Sequence, residues 1–352
     1  MWLKSYHGAA FAVKMNTLCP LPFMTRPTEK VSAAGGKRKQ RASKKRGSVK
    51  NAGSTLLNPA KLKQLYSTML RCRLIEEKAR LLGDQDKLPK WQRVVAQREA
   101  SEVGAIIDLL PGDFVAPRRR DLASSFILST PLKKILEQAA AGAAEHTRTQ
   151  YSPRRDRSNA SMIAGPLALA ARLNMGTGVA LIYKMQEKPN VVVAFSGDDS
   201  MALTSWREAV SFAVAHKLPI VLVVQNDLWA ESAGPQAPMR SLVSPEQTNG
   251  LPTFAVDGAD VVAVYRVAQE AIRRARQGHG PTLIECKTHR WTSYSGFAPA
   301  THPPTEDPGG NRPDPISTME EYLKQKGLWS EAWKERLLKS FRKQLDAAAK
   351  LA

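Results

Sequence analysis

The chain has 352 residues, 43% of them hydrophobic and 24% charged, and a formal net charge of +20 at pH 7. That length and apolar content exclude a wholly disordered protein and allow one large core or two modest ones. Cys19, Cys72 and Cys286 are odd in number and far apart, which argues against a disulfide framework or a cysteine zinc site and points to a reducing compartment.

The charge is concentrated at the start. Residues 1–50 hold twelve of the 52 basic residues and a single acid, Glu29, a net +11. Within them "KRKQRASKKRGSVK", Lys37 to Lys50, carries eight basic residues and no large apolar one. A solvated, disordered arm over residues 1–55 is the expectation, with a nucleic-acid or membrane surface as the alternative partner. No aromatic side chain is interleaved for base stacking, which weakens the nucleic-acid case; no membrane partner is expected either. The first 28 residues lack acids as a transit peptide does, but they are poor in Arg and Ser, and Met15 and Met24 stand as alternative starts.

From Pro59 to Leu82, Leu62, Leu65, Tyr66, Met69, Leu70 and Leu74 recur near one face, predicting an amphipathic helix. Glu99 to Leu110 predicts a second helix, stopped by the turn signal Pro111-Gly-Asp113. "DFVAP" predicts a short strand, and Pro131 to Ala144 a helix with proline in its first turn. Ser161 to Tyr183 is rich in Gly and Ala but broken by Arg172 and Asn174. It predicts a closely packed buried helix in the core or between subunits, not a membrane span. "VVVAF" and "LPIVLVVQND" predict buried strands, and the helix between them carries Ser205-Trp-Arg-Glu208 in capping-box form. Leu251 to Gly258 leads into a helix, Val261 to Gln277, and a further strand in "PTLIECKTH". The Pro- and Gly-rich stretch after Ser293 reads as a loop, and a polar helical tail from Thr318 closes the chain.

Continuous apolar strands alternating with helices specify an α/β fold over residues 56–345: a mostly parallel sheet covered by helices on both faces. Ligands of such sheets sit beyond the carboxyl ends of the strands. Gly197 to Ser200 and Gln225 to Trp229 then fall at neighbouring strand ends. Asp198 and Asp227 are 29 residues apart, one β-α-β step. Two such carboxylates could hold Mg²⁺ together with phosphate oxygens and water, and Gly197 would let the backbone approach a phosphate. A pair of turn or helix-cap aspartates is the alternative.

"SGDDSMALTSWREAVSFAVAHKLPIVLVVQNDLWAES" resembles the thiamine-diphosphate motif, Gly-Asp-Gly followed later by Asn-Asn, of the alpha subunit of the decarboxylating component of 2-oxo-acid dehydrogenase complexes, the family of pyruvate, branched-chain 2-oxo-acid and acetoin dehydrogenase alpha subunits. "LYSTMLRCRLIEEKA", "EASEVGAIIDLLPGDFVAPRRRD", "PTFAVDGADVVAVYRVAQEAIRRARQGHGPTLIE" and "DPISTMEEYLKQKGLWSE" resemble the same family in the same order. The resemblance implies the thiamine-diphosphate-binding fold and Mg²⁺ held by Asp198, Asp227 and the Trp229 carbonyl. It places Gly197, Asp199 and Ser200 beside the cofactor and gives Arg119 and Arg120 the diphosphate contacts. It also implies decarboxylation of a 2-oxo acid, acyl transfer to a lipoyl-bearing acyltransferase, and a beta subunit that supplies the rest of the site in an α2β2 heterotetramer. The expected location is the cytoplasm if the chain is bacterial, with the mitochondrial matrix as the alternative.

The sequence departs from the family pattern at the site itself. Asp199 replaces Gly, Asp227 replaces the second Asn, Arg119 replaces Tyr, and Leu122 and Tyr294 occupy positions where the family has histidines. His289 and His302 are the nearby histidines that could substitute. The segment 143–165 is short and nearly free of glycine where the family has a Gly-rich one. Arg118 and Arg119 add two positive charges where Asp199 and Asp227 add two negative ones, so compensation is expected. Two readings follow: a subunit that turns over with its beta partner, or a catalytically degenerate paralogue with a structural or regulatory role.

Overall fold

The valine-rich segments become the centre of a six-stranded, all-parallel sheet. In the computed structural model the described residues are 57–82, 98–118, 122–140, 161–162, 169–197, 204–226, 250–288 and 314–351, all within the unit Leu56–Ala352. The strands are β1 (Phe114–Ala116), β2 (Ser161–Met162), β3 (Val192–Gly197), β4 (Ile220–Asn226), β5 (Thr253–Asp257) and β6 (Thr282–Lys287), in the order β2-β1-β3-β4-β6-β5. Every residue of β3 and β4 is buried, as a parallel strand covered on both faces requires.

The helices are α1 (Pro59–Leu82), α2 (Glu99–Ile106), α3 (Leu122–Ile127), α4 (Leu132–Ala140), α5 (Leu169–Met185), α6 (Thr204–Ala215), α7 (Val261–Arg276), α8 (Pro315–Gln325) and α9 (Glu331–Leu351). On one face, Leu173 of α5 and Trp206, Ala209, Val210 and Ala213 of α6 pack on Val192, Ala194, Leu222 and Val224. On the other, Ala105 and Ile106 of α2 and the Val264, Ala268 and Ile272 stripe of α7 pack on Val193, Phe195, Val221 and Val223. The alternation of β3 and β4 between two apolar clusters follows from the period of two along a strand. The expected parallel α/β architecture is what the chain adopts.

A third core joins α1 to α3, α4, α8 and α9. The six positions of the α1 stripe, Leu62, Leu65, Tyr66, Met69, Leu70 and Leu74, are all buried in it. Helix starts follow local chemistry. Asn58 accepts from the Lys61 N–H ahead of Pro59, and Asp314 accepts from the Ser317 N–H ahead of Pro315. Asp260 likewise caps α7 through Val262 and Ala263.

Several expectations are corrected. Ser161 to Tyr183 is not one helix: Ser161–Met162 forms β2 against β1, and α5 begins at Leu169. Close packing does hold in α5, since a Cβ on Gly176 would lie 3.2 Å from the Ala116 Cβ and 3.4 Å from Val192 Cγ1. Ser205 lies inside α6, which starts at Thr204, so it is not the capping residue. The second helix ends at Ile106, four residues before Leu110, α4 starts at Leu132, and α8 starts at Pro315 ahead of Thr318. Thr253–Asp257 is an edge strand that the sequence pattern did not mark, because none of its five residues is buried and its exposure does not alternate. No helix among the described residues is long and apolar enough to cross a membrane.

Candidate active site

At the carboxyl edge of the sheet β3 and β4 end side by side. Gly197 is in register with Gln225, and β4 runs one residue further to Asn226. Asp198 and Asp227 therefore each follow the last residue of one of two adjacent strands in sequence. Asp198, Asp199, Ser200, Asp227 and Trp229 themselves lie outside the described residues, as do Arg119, Arg120, Tyr294, His289 and His302.

The described edge carries a polar network that the motif did not reveal. Arg118, just past β1, donates from Nη1 to the Gln225 Oε1 at 3.2 Å. Gln225, fully buried, donates from Nε2 to Ser101 Oγ at 2.8 Å and to Glu102 Oε1 at 3.4 Å on α2. Arg172 of α5, also buried, donates to the backbone carbonyls of Pro117 (3.3 Å) and Arg118 (2.9 Å). Two guanidinium groups thus converge on the turn leaving β1, one along its backbone and one reaching across the sheet edge. A buried amide or charge is costly unless bonded, so such a network fixes its members in place. The only sequence signals were polar residues interrupting apolar runs: Gln225 at the end of "VLVVQ" and Arg172 in a Gly- and Ala-rich stretch.

One strand over, Asn226 donates from Nδ2 to Glu285 Oε1 at 2.7 Å, and both are buried. The Asn226 carbonyl accepts from the Thr288 N–H at 2.8 Å, which fastens the end of β4 to the end of β6. Cys286 beside it is pushed up to about 12 by burial, and then by Glu285 and Asp257. Its thiol is no nucleophile at neutral pH.

The start of α2 is held from behind. Arg73 of α1 forms ion pairs with Glu99 and, at 2.7 Å, with Asp314, the cap of α8. Burial pushes the Glu99 carboxyl up, against the opposing pull of Arg73. The Arg73 guanidinium is desolvated too, yet Glu99 and Asp314 together raise it. Burial opposes the charge of both, but arginine stays charged throughout, so Glu99 is the member of the pair that is shifted toward its neutral form.

Leu122, the first residue of α3, is half-buried and packs against the core of α1 and its neighbours. Among the described residues no three His, Cys, Asp or Glu side chains group as a metal site. What the described edge does supply is a residue without a side chain at the end of β3 and a guanidinium held over the strand ends. Beside them stand the buried carboxylates of Glu102 and Glu285, bonded to Gln225 and Asn226.

Comparison with known proteins gives this geometry its context. The family model described as dehydrogenase E1 component matches residues 66–352. The chain is 27% identical over 301 residues to the pyruvate dehydrogenase E1 component subunit alpha of Staphylococcus aureus, a stretch that covers 84% of this chain and 79% of that protein. The protein of the same name from Staphylococcus epidermidis is 27% identical over the same shares. Matched from Tyr66 to its last residue, the chain belongs to the dehydrogenase E1 component family, among the alpha subunits of 2-oxo-acid dehydrogenases.

Proposed function

We propose that this chain binds thiamine diphosphate with Mg²⁺ at the ends of β3 and β4 and, with a beta subunit, decarboxylates a 2-oxo acid and passes the acyl group to the lipoyl group of an acyltransferase. The observation that carries the reading is the register of Gly197 with Gln225: two adjacent parallel strands end together, where α/β sheets bind ligands, in a chain of this family. Asp198, Asp227 and the Trp229 carbonyl would hold the Mg²⁺, with Gly197, Asp199 and Ser200 alongside and Arg119 and Arg120 toward the diphosphate. Bound there, the cofactor supplies the carbanion chemistry that cleaves the bond between a 2-oxo carbon and its carboxylate. The protein's own part is to hold the anionic end at the sheet edge and to orient the rest toward the beta subunit. An α2β2 assembly and, in a bacterial cell, the cytoplasm complete the reading.

One observation favours a second reading, a degenerate subunit with a structural or regulatory role. Leu122 uses its side chain to pack on the α1 core, so this position handles no proton. The complex reconstituted with its beta subunit distinguishes the two readings. Release of CO₂ from a 2-oxo acid, dependent on thiamine diphosphate and Mg²⁺, supports turnover. Bound cofactor without CO₂ release supports the degenerate subunit.

A further inference from the structure

We infer that the outer face of α9 is a docking surface for an acidic face of another protein. The inference is independent of the cofactor reading above and stands on a different part of the molecule.

Helix α9 has one side in the core and one in solvent. Phe341, Leu345 and Ala348 are buried in the helical core that α9 shares with α1, α4 and α8. At about 100° of turn per residue, Lys339, Lys343 and Lys350 stand roughly opposite Phe341, with Arg336 on the same side. All four are exposed, and they run along about 21 Å of helix.

The cations of this face lack carboxylates. On other exposed helix surfaces the chain pairs them, Lys133 with Glu137 at 3.7 Å in α4 and Arg273 with Glu270 at 2.6 Å in α7. On α9 the acid between Lys343 and Lys350, Asp346, turns instead to Lys78 of α1 at 2.7 Å. Among the described residues Arg336, Lys339 and Lys343 take part in no hydrogen bond, ion pair or ring contact. Cations left without a partner in their own chain are available to the carboxylates of another.

Charge selects the occupant. Residues 1–50 hold +11 of the formal +20, which leaves +9 on the rest of the chain, so a second copy would set like charge against like. Nucleic acid fits less well than an acidic protein. Trp333 and Phe341, the aromatic residues of α9, pack with the core and give the outer face no stacking platform. Glu335 and Asp346, both exposed, flank the cations and would repel a continuous phosphate backbone. A protein face can place Asp and Glu against the four cations and its own lysines against those two carboxylates. Contacts of this kind steer and orient the encounter and weaken with salt.

The test uses the full chain, with poly-L-glutamate as the acidic probe and a short duplex DNA as the phosphate probe. Acetylation of each lysine is read by mass spectrometry, so binding at the basic residues 1–50 does not mask the signal from α9. Poly-L-glutamate is expected to protect Lys339 and Lys343 at low salt and to release them at high salt, while duplex DNA leaves them reactive. Arg336→Gln combined with Lys343→Gln should raise the poly-L-glutamate concentration that protects Lys339 about 3- to 10-fold, the worth of two exposed ion pairs. Arg336→Lys combined with Lys343→Arg should leave it unchanged. Both sites are exposed, and the variants are expected to keep the wild-type melting temperature. Lys339 and Lys343 as reactive with poly-L-glutamate as without it overturns the inference. Equal protection by duplex DNA makes this a phosphate-binding face and overturns it too, as does protection that ignores salt and the glutamine pair.

Discussion

Asp198 is the residue on which the metal reading turns. In sequence it follows Gly197, the last residue of β3, which is in register with Gln225 of β4. Replacing it with alanine is expected to abolish Mg²⁺-dependent binding of thiamine diphosphate while leaving the melting temperature unchanged; unaltered affinity would remove it from the metal site. Asp113 shows the opposite kind of importance. Fully buried, it accepts from the Leu110 and Val191 N–H groups at 2.8 and 3.0 Å and takes a two-pronged ion pair from Arg276 at 2.7 and 3.1 Å. It ties the entries of β1 and β3 to the end of α7. Asp113→Ala leaves a guanidinium and two backbone donors uncompensated, an expected loss of about 3 kcal/mol or more in denaturant unfolding; a loss below about 1 kcal/mol would contradict that role. At this scale the paired ends of β3 and β4 were legible, because the apolar runs that precede Asp198 and Asp227 mark two buried strands. Gln225 was not, since its partner Ser101 is 124 residues away and no local pattern records the contact.

Elements were legible where packing and periodicity agree. The α1 stripe and the two valine-rich strands each bury the residues their spacing marks. They were illegible where tertiary contact decides. Two residues, Ser161 and Met162, become β2 because the edge of β1 offers partners, which no two-residue pattern can announce. The strand Thr253–Asp257 is held on the outer edge by β6 and lacks the continuous apolar run of a central strand. The crossing of α2 and α7 has one testable requirement. A Cβ on Gly104 would sit 2.9 Å from Cβ and Cγ1 of Val264 and 3.0 Å from the Tyr265 backbone nitrogen, atoms that cannot swing aside. Gly104→Ala is therefore expected to cost about 1–3 kcal/mol despite the helix propensity of alanine, and a stabilised variant in thermal unfolding would refute the close crossing.

For the molecule as a whole, buried thiol and phenol groups oppose ionisation at alkaline pH: Tyr66 and Tyr183 are raised by burial, and so are Cys286 and Tyr265. Burial, then Glu285 and Asp257, pushes Cys286 up from 9.0 to about 12; burial, then the bond to Asp108, pushes Tyr265 up from 10.0 to about 12. In both the neutral form is favoured in the folded state. Their contribution is therefore fully present below about pH 9 and is lost as pH rises through 9 to 12. Cys286 alone accounts for a slope of up to about 1.4 kcal/mol per pH unit across that window. Urea unfolding between pH 8 and 11 should show stability falling, with a shallower fall in Cys286→Ala and in Tyr265→Phe; equal slopes in all three would contradict the assignment. In the function proposed for this chain, the ends of β3 and β4 form half of a thiamine-diphosphate site that a beta subunit completes. A calorimetric titration of thiamine diphosphate in excess Mg²⁺, run with the chain alone and with the reconstituted complex, tests it most directly. Saturable, Mg²⁺-dependent binding in the complex, absent or much weaker in the chain alone, is the predicted result. No binding in a complex shown to be assembled would contradict the account.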